Sequence, residues 1–134
     1  MTTTRLVSEA LAAGTEGLTL LGGEPLDQPE AVTRLAREAY AAGLSVVVFS
    51  GYARREVEQR APDLLGSVDV LVDGPYDRHQ PERGAPKPRR WIGSRNQGLH
   101  FLSPRYGPRD FEGANTVELR LRGGVLTVNG WPTR

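Results

Sequence analysis

Three short segments of the sequence carry residues suited to holding a small ligand. They are Gly22-Gly23-Glu24-Pro25, Ser50-Gly51-Tyr52 and Asp73-Gly74-Pro75. Adjacent glycines let a ligand approach the backbone with no Cβ in the way, and a carboxylate accepts hydrogen bonds from an ammonium group. A small zwitterionic or nucleoside-like ligand would suit this combination. The alternative is that the glycine, serine and aspartate residues only form turns, which is their commoner role.

Other chemistry-bearing residues are less convincing as sites. Ser94 and His100 could belong to a nucleophilic triad, but the sequence has no G-x-S-x-G turn. His79 and His100 have no metal-ligating partner at a useful spacing, which favours surface or packing roles. The segment 76–97 holds six cationic residues against two acidic ones and includes Trp91. It could stack a base and hold phosphates, although proline-rich charged loops are more often simply solvated.

Alternating strand and helix patterns place the three segments at one edge of a sheet. Short apolar runs at 17–21, 44–49 and 68–72 are bounded by turn residues, as buried parallel strands are. Each segment follows one of these runs, and ligands bind at the carboxyl ends of parallel strands. One helix is predicted between the first two strands, and a short charged helix, 53–60, between the next two. The β-α-β order therefore predicts an α/β fold with a mainly parallel sheet, flanking helices and right-handed crossovers.

An opening helix, a helix cap, a fourth strand and a hairpin complete the predicted elements. An opening helix is predicted over 5–13. Asp27 is predicted to cap the second helix, with Pro29 in its first turn. A brief strand is predicted at 99–102. In 117–128, period-two alternation across a Gly-Gly turn predicts a C-terminal antiparallel hairpin with one solvated face.

Length and composition limit the classes of protein. The chain has 134 residues, so residues 1–134 are expected to form a single domain. Its net charge of +1 gives no overall attraction to nucleic acid or to an anionic membrane. It has no cysteine, which excludes disulfides, a thiolate nucleophile and cysteine-ligated zinc or iron–sulfur clusters within this sequence. Since no apolar run could span a membrane and the start lacks a secretory pattern, a cytoplasmic location is expected.

Four motifs follow one another along the chain: Gly17–Leu26 (GLTLLGGEPL), Val46–Tyr52 (VVVFSGY), Val70–Tyr76 (VLVDGPY) and Trp91–Gln97 (WIGSRNQ). In this order they resemble the motifs of the radical S-adenosylmethionine (SAM) activating enzymes. They cover roughly residues 15–103, and four motifs in order are far more specific than one glycine pair. Within that group they look most like the activator of anaerobic ribonucleotide reductase and its single-cluster relatives.

The resemblance implies a fold, two cofactors and a partner. The fold would be a partial (β/α) barrel in which Gly22–Pro25 meets the methionine amino group of SAM, with Ser50 and Asp73 beside the rest of the cofactor. In this family a [4Fe–4S] cluster gives one electron to the SAM sulfonium. The resulting 5′-deoxyadenosyl radical abstracts hydrogen from a glycine of a partner, a glycyl-radical enzyme. The oxidoreductase chemistry belongs to the cofactors, which the protein binds and orients.

The sequence departs from the family pattern at the cluster. Family members hold it with C-x-x-x-C-x-x-C after the first barrel strand, whereas this chain has no cysteine and opens on a predicted helix. The first strand and the cluster loop are therefore expected to be missing. We expect a truncated or degenerate activating-enzyme-like chain, the C-terminal portion of a radical SAM domain, which supplies the SAM-binding rim but is not competent alone. The alternative is a non-enzymatic binding module that docks a protein or, as the less favoured partner, nucleic acid through its basic 78–95 loop.

Overall fold

A four-stranded sheet forms the body of the chain. In this computed structural model, which describes residues 1–113 and 117–130, the sheet contains β1 (Gly17–Leu20), β2 (Ser45–Phe49), β3 (Val70–Asp73) and β4 (Gly98–Phe101). The strands lie side by side in chain order. β1, β2 and β3 are parallel, and β4 pairs antiparallel with β3. The prediction of an α/β fold with a mainly parallel sheet is confirmed, and the antiparallel pairing of β4 adds to it.

In the described residues, three α-helices and a hairpin accompany the sheet. The helices are α1 (Thr3–Ala12), α2 (Pro29–Ala41) and α3 (Arg54–Arg60), and the hairpin consists of β5 (Val117–Arg122) and β6 (Val125–Gly130). The ends of the predicted elements are shifted by at most two residues. Within the described ranges, no helix is both long and apolar enough to cross a membrane.

The predicted cap of α2 is wrong. Asp27 lies in a 3₁₀ turn, Pro25–Asp27, that precedes the helix. Gln28 occupies the N-cap position of α2 and makes no side-chain capping hydrogen bond, while Pro29 is the first helical residue, as expected. The physical reason lies one turn earlier, where the Glu24 carboxylate accepts a hydrogen bond from the N–H of Leu26 and so begins the 3₁₀ turn. That turn holds Asp27 one residue before the N-cap position.

The two faces of the sheet are packed differently. The helical face holds the larger core, whose members include the buried Val46, Val48, Leu71, Ala36 and Ala39. The opposite face is covered by a smaller cluster around β3 and β4, formed by Val70, Val72, Ile92 and Phe111. Because side chains alternate between faces along a strand, β2 and β3 contribute to both layers, whereas the leucines of β1 pack in the larger core and the apolar side chains of β4 in the smaller cluster. Over β1 and β2 the second face remains open to a cavity.

The hairpin has the predicted turn but exposes its apolar face. Leu119 pairs with Val128 and Leu121 with Leu126, which places these four side chains on one face. Leu119 and Leu121 are 65% and 73% exposed. The expectation that only one face would be solvated is therefore wrong for the described residues. A two-stranded ribbon has no second layer of its own against which to bury a face.

Candidate functional site

Glu24 joins the carboxyl ends of β1 and β2. Its Oε1 accepts hydrogen bonds from the Leu26 N–H at 2.9 Å and the Ser50 hydroxyl at 2.8 Å, and its Oε2 accepts from the Gly51 N–H at 2.7 Å. Ser50 is buried, and its Oγ also accepts from the Tyr52 N–H at 3.1 Å. A carboxylate accepts about four hydrogen bonds, so Oε2 retains capacity for one more. Glu24 is thus both a link between two strands and an acceptor with room for a ligand donor.

Gly22 and Gly23 form an open stretch of backbone next to that carboxylate. Their φ angles are +89° and +54°, in the region that favours glycine. Both are exposed, and no non-neighbouring atom lies within 4 Å of the position that a Cβ would take. The backbone conformation therefore accounts for both glycines, and the space beside them can admit a ligand. Pro25 follows, buried, as the first residue of the 3₁₀ turn.

Asp73 ends β3 and has partners of its own. Its Oδ2 accepts from the N–H of Arg54, the first residue of α3, at 2.6 Å, and its Oδ1 lies 2.8 Å from Nε2 of His100. Gly98 pairs with Asp73 across the sheet, and a Cβ at Gly98 would collide with the side chains of Asp73 and His100. Sequence reasoning gave His100 only a surface or packing role. The signal that it missed is the spacing of Gly98 and His100, which places both on one face of β4.

The three predicted segments lie at one edge of the sheet and are joined through the backbone. The N–H of Ser50 donates to the carbonyl of Val72 at 2.9 Å, and the N–H of Gly74 donates to the carbonyl of Tyr52 at 3.0 Å. The side chains of Glu24 and Ser50 are in direct contact. Asp73 belongs to the adjacent strand end and bonds to α3 and β4 instead. The edge therefore carries two carboxylates, Glu24 held by two backbone N–H groups and Asp73 by one.

A cavity of about 470 Å³ lies on the open face of the sheet, over β1 and β2. Val47, Phe49, Trp91 and Phe111 line its apolar side. The residues of the candidate edge do not line this cavity; Phe49, which directly precedes Ser50, is its lining residue nearest to them in sequence. Its volume is in the range of small-molecule sites, and a mostly apolar lining with few polar groups is typical of them.

Tyr106 lines the amino-terminal end of the cavity. Its hydroxyl donates to Oε1 of Glu16 at 2.6 Å and lies 2.9 Å from Oγ of Ser45. Burial raises the pKa of Tyr106, and the hydrogen bond to Glu16 raises it further. A neutral phenol therefore connects Glu16, directly before β1, with Ser45, the first residue of β2. Because it comes from the segment after β4, sequence periodicity gave no sign of this contact.

The basic segment 76–97 is built around a buried ion pair. Glu82 is 3% exposed. Arg89 donates to it bidentately, from Nε to Oε1 at 3.0 Å and from Nη2 to Oε2 at 2.9 Å, and the backbone N–H of Arg89 adds a third bond at 2.7 Å. The guanidinium hydrogen bonds lower the pKa of Glu82. The expectation of a simply solvated loop is therefore wrong for Glu82 and Arg89, because the charges that should face water satisfy each other inside the loop.

Polar side chains of the Trp91–Gln97 motif hold this loop against the end of β3. Gln97 donates from Nε2 to the carbonyl of Gly74 at 3.1 Å, and Asn96 donates from Nδ2 to the carbonyl of Pro75 at 2.8 Å. Ser94 is fully buried, and its hydroxyl accepts a backbone N–H at 3.0 Å from the start of the loop. The motif thus has a structural explanation, and Ser94 does not form a triad with His100, whose partner is at the end of β3.

The parallel strands and the polar residues at their carboxyl ends place this chain in a class of α/β proteins. In that class, ligand sites lie at the carboxyl ends of parallel strands. Residues 2–100 match the family model described as "4Fe-4S single cluster domain", and the chain belongs to that family. Relatives include proteins named anaerobic ribonucleoside-triphosphate reductase-activating protein from Haemophilus influenzae, Vibrio cholerae and Enterobacteria phage T4. The resemblance seen in the four motifs is confirmed.

The matches to these relatives cover only part of their length. Identity is 32% over 91 residues to the Haemophilus protein, 32% over 88 residues to the Vibrio protein and 30% over 102 residues to the phage protein. The matches cover 63%, 63% and 73% of this chain, but only 55%, 54% and 61% of the relatives. The chain thus spans little more than half the length of the relatives. No solved structure matches.

The side chains of this sequence do not fit a [4Fe–4S] cluster. Such clusters are held by cysteine thiolates, and the sequence has none. In residues 1–113 and 117–130 there is also no group of three or more His, Cys, Asp or Glu side chains placed to hold a metal ion. The chain belongs to a cluster-binding family without supplying the cluster's usual ligands.

Proposed function

We propose that this chain is a radical SAM activating-enzyme-like protein that supplies the SAM-binding edge but does not ligate the cluster. The observation that carries the proposal is the arrangement of Gly22, Gly23, Glu24, Ser50 and Asp73 at the carboxyl ends of the parallel strands, where the side chains of Glu24 and Ser50 are in direct contact. Family membership and the similarity to activating proteins of anaerobic ribonucleoside-triphosphate reductase support it. On this proposal, residues 1–134 are one domain, the C-terminal portion of a partial (β/α) barrel.

The edge has the groups that the amino-acid part of SAM requires. The open backbone at Gly22 and Gly23 admits close approach, and the remaining acceptor position of Glu24 can take a hydrogen bond from an ammonium group. Ser50 holds that carboxylate in place through a 2.8 Å hydrogen bond. Asp73, fixed by Arg54 and His100, would meet the more distant part of the ligand. SAM would supply the carbon–sulfur bond that such enzymes cleave reductively.

The partner on this proposal is a glycyl-radical enzyme of the anaerobic ribonucleotide reductase kind, by analogy with the relatives. The absence of cysteine favours a second candidate, a binding module without catalysis. The two candidates differ in one measurable property, since only the first requires specific affinity for SAM.

Isothermal titration calorimetry with SAM tests the proposal. We expect saturable binding by the wild-type chain and at least tenfold weaker binding by Gly23→Val, equivalent to about 1.4 kcal/mol. The matched control is Gly14→Val, because Gly14 also has positive φ, +66° against +54°, and also has no non-neighbouring atom within 4 Å of a Cβ. Gly14 lies beyond the end of α1, outside the candidate edge. Glu24→Gln should also weaken binding, since it removes the charge that attracts the ammonium group.

Two outcomes would overturn parts of the proposal. Undetectable SAM binding, or equal weakening by Gly23→Val and Gly14→Val in variants with wild-type circular dichroism, would remove the cofactor edge and favour the binding module. Incubation of the purified chain with SAM, iron, sulfide and a reductant is expected to give no 5′-deoxyadenosine. Its formation by this chain alone would overturn the statement that the chain does not ligate the cluster.

A further inference from the structure

Unpaired positive charge is concentrated in the basic loop, residues 78–95. The whole chain has a net charge of only +1, while segment 76–97 has six cationic and two acidic residues, so the remainder is net acidic. Arg78, Arg83, Lys87 and Arg95 are exposed. Across the described ranges, 1–113 and 117–130, no carboxylate forms an ion pair with any of these four side chains. The loop therefore presents a local cationic surface on an otherwise acidic chain.

The loop is held in shape by contacts that leave these four side chains outside. Glu82 and Arg89 form its buried centre, and the Arg89 guanidinium also donates to the carbonyl of Gln97 at 2.8 Å. Gln97 and Asn96 tie its C-terminal end to the backbone after β3. A surface that is already ordered loses less conformational entropy when a partner binds. Arg89 thus holds the loop together, and the four exposed cationic side chains around it are available to bind a partner.

The position of the loop places a bound partner beside the candidate site. The loop follows Asp73-Gly74-Pro75 directly, and the carbonyls of Gly74 and Pro75 are the acceptors that hold its other end. Those carbonyls lie one and two residues beyond the Asp73 carboxylate. A partner docked on the loop would therefore be adjacent to the carboxyl edge of the sheet.

The chemistry of the loop favours an acidic protein segment over nucleic acid. Single-stranded nucleic acid binds to aromatic platforms on which bases stack. The guanidinium of Arg90 lies 4.6 Å over the ring centroid of Trp91, and Phe111 packs against the same ring edge-on at 5.3 Å. A Cβ at Gly93 would meet the Tyr76 ring at 2.9 Å, so this second aromatic packs on the loop backbone, but Trp91 and Tyr76 are still 53% and 52% exposed. The preference for a protein segment therefore rests on charge: a long polyanion would be repelled by the acidic remainder of the chain, whereas a short acidic segment needs only the loop.

We infer that the basic loop is a docking surface for an acidic segment of a partner protein, which it holds beside the carboxyl edge of the sheet. Arg78, Arg83, Lys87 and Arg95 would donate to its carboxylates, with bidentate pairing available to the arginines. The identity of the partner rests on the proposed function, which makes it an anaerobic ribonucleoside-triphosphate reductase. Exposed charges of this kind chiefly accelerate association and make binding sensitive to salt.

The test measures binding of the whole chain to a purified anaerobic ribonucleoside-triphosphate reductase by biolayer interferometry at low and high salt. The loop variant is Arg83→Glu/Lys87→Glu. The control is Arg34→Glu/Arg55→Glu, which changes the net charge equally at exposed arginines of α2 and α3. We expect the loop variant to bind at least tenfold more weakly with a reduced salt dependence, and the control to stay within about twofold of wild type.

The outcomes separate this inference from the proposed function. Equal loss in the loop variant and the control, or no binding of the reductase at all, would overturn the docking surface. Tighter binding of a single-stranded oligonucleotide than of the reductase, lost in the loop variant, would overturn it in favour of nucleic acid. SAM calorimetry is run on the same proteins. If reductase binding depends on the loop but SAM does not bind, the docking surface stands and the cofactor edge is removed. If SAM binds but reductase binding does not depend on the loop, the cofactor edge stands and the docking surface is removed.

Discussion

Replacing Arg89 with alanine should destabilise the folded chain by about 3 kcal/mol. Removing one partner of a buried ion pair costs about 3–5 kcal/mol, because the other charge is left buried without compensation. The Glu82 side chain is 4% exposed and the Arg89 side chain 29%, so water can reach part of the site and the lower end applies. Arg89→Lys should lose about half as much, since an ammonium replaces a bidentate fork by a single point charge. Urea unfolding followed by circular dichroism measures both, with Arg83→Ala, exposed in the same loop, expected within about 0.5 kcal/mol of wild type.

The effect of Arg89 should depend on pH with a defined sign. Its hydrogen bonds hold the pKa of Glu82 below the ordinary value of 4.5. The ionised carboxylate therefore contributes stability above about pH 4.5, and this contribution is lost as the pH falls through the folded-state pKa. Arg89→Ala removes the main cause of the lowered pKa. The difference in unfolding free energy between this variant and the wild type should therefore shrink when urea unfolding is repeated below about pH 4. A difference under about 1 kcal/mol near neutral pH, or one that does not change on acidification, would refute the reasoning.

Two further substitutions probe the sheet edge and the open face. Gly98→Ala places a Cβ against the Asp73 carboxylate and should cost about 1–3 kcal/mol in urea unfolding. Gly66→Ala is the control, because a Cβ at Gly66 has no non-neighbouring atom within 4 Å. Equal stabilities of these two variants would contradict the prediction. Tyr106→Phe removes the hydrogen bond to Glu16 and should cost about 1 kcal/mol. Because burial raises the pKa of Tyr106 above its ordinary value of 10.0, the wild type keeps the benefit below that pH and loses it as the pH rises through the folded-state pKa. Thermal unfolding across alkaline pH should show that loss in the wild type and not in Tyr106→Phe.

The strands that carry the candidate site could be predicted because each is marked by a pattern of residues close together in the sequence. β1, β2 and β3 are short apolar runs that end at turn residues, and parallel strands in sequence bring their carboxyl ends to one edge. This was enough to place Glu24 near Ser50. It was not enough to show that three donors already bond to the Glu24 carboxylate, because two of them lie on a segment 26 and 27 residues away.

The basic loop could not be interpreted from its composition. Charge and proline content predicted a solvated segment, yet Glu82 and Arg89 pair inside it although no helix or strand joins them. Asp69 shows the same limit. It stands in a predicted strand between apolar neighbours, and its buried carboxylate accepts from the N–H of Val46 at 2.8 Å and from the Ser103 hydroxyl at 2.6 Å. Contacts of this kind depend on the assembled sheet and leave no trace in a local pattern.

The order of the strands in the sheet has a consequence for how the chain is made. β1, β2 and β3 are neighbours in the order in which a ribosome produces them, so each parallel pair can form once its own crossover helix has emerged. β4 is different, because it can pair with β3 only after the whole basic loop has been synthesised. Until then β3 is an unprotected edge with Val70, Leu71 and Val72 in sequence, a template for pairing with another nascent chain. Closing the basic loop is therefore the step at which β4 covers the edge of β3.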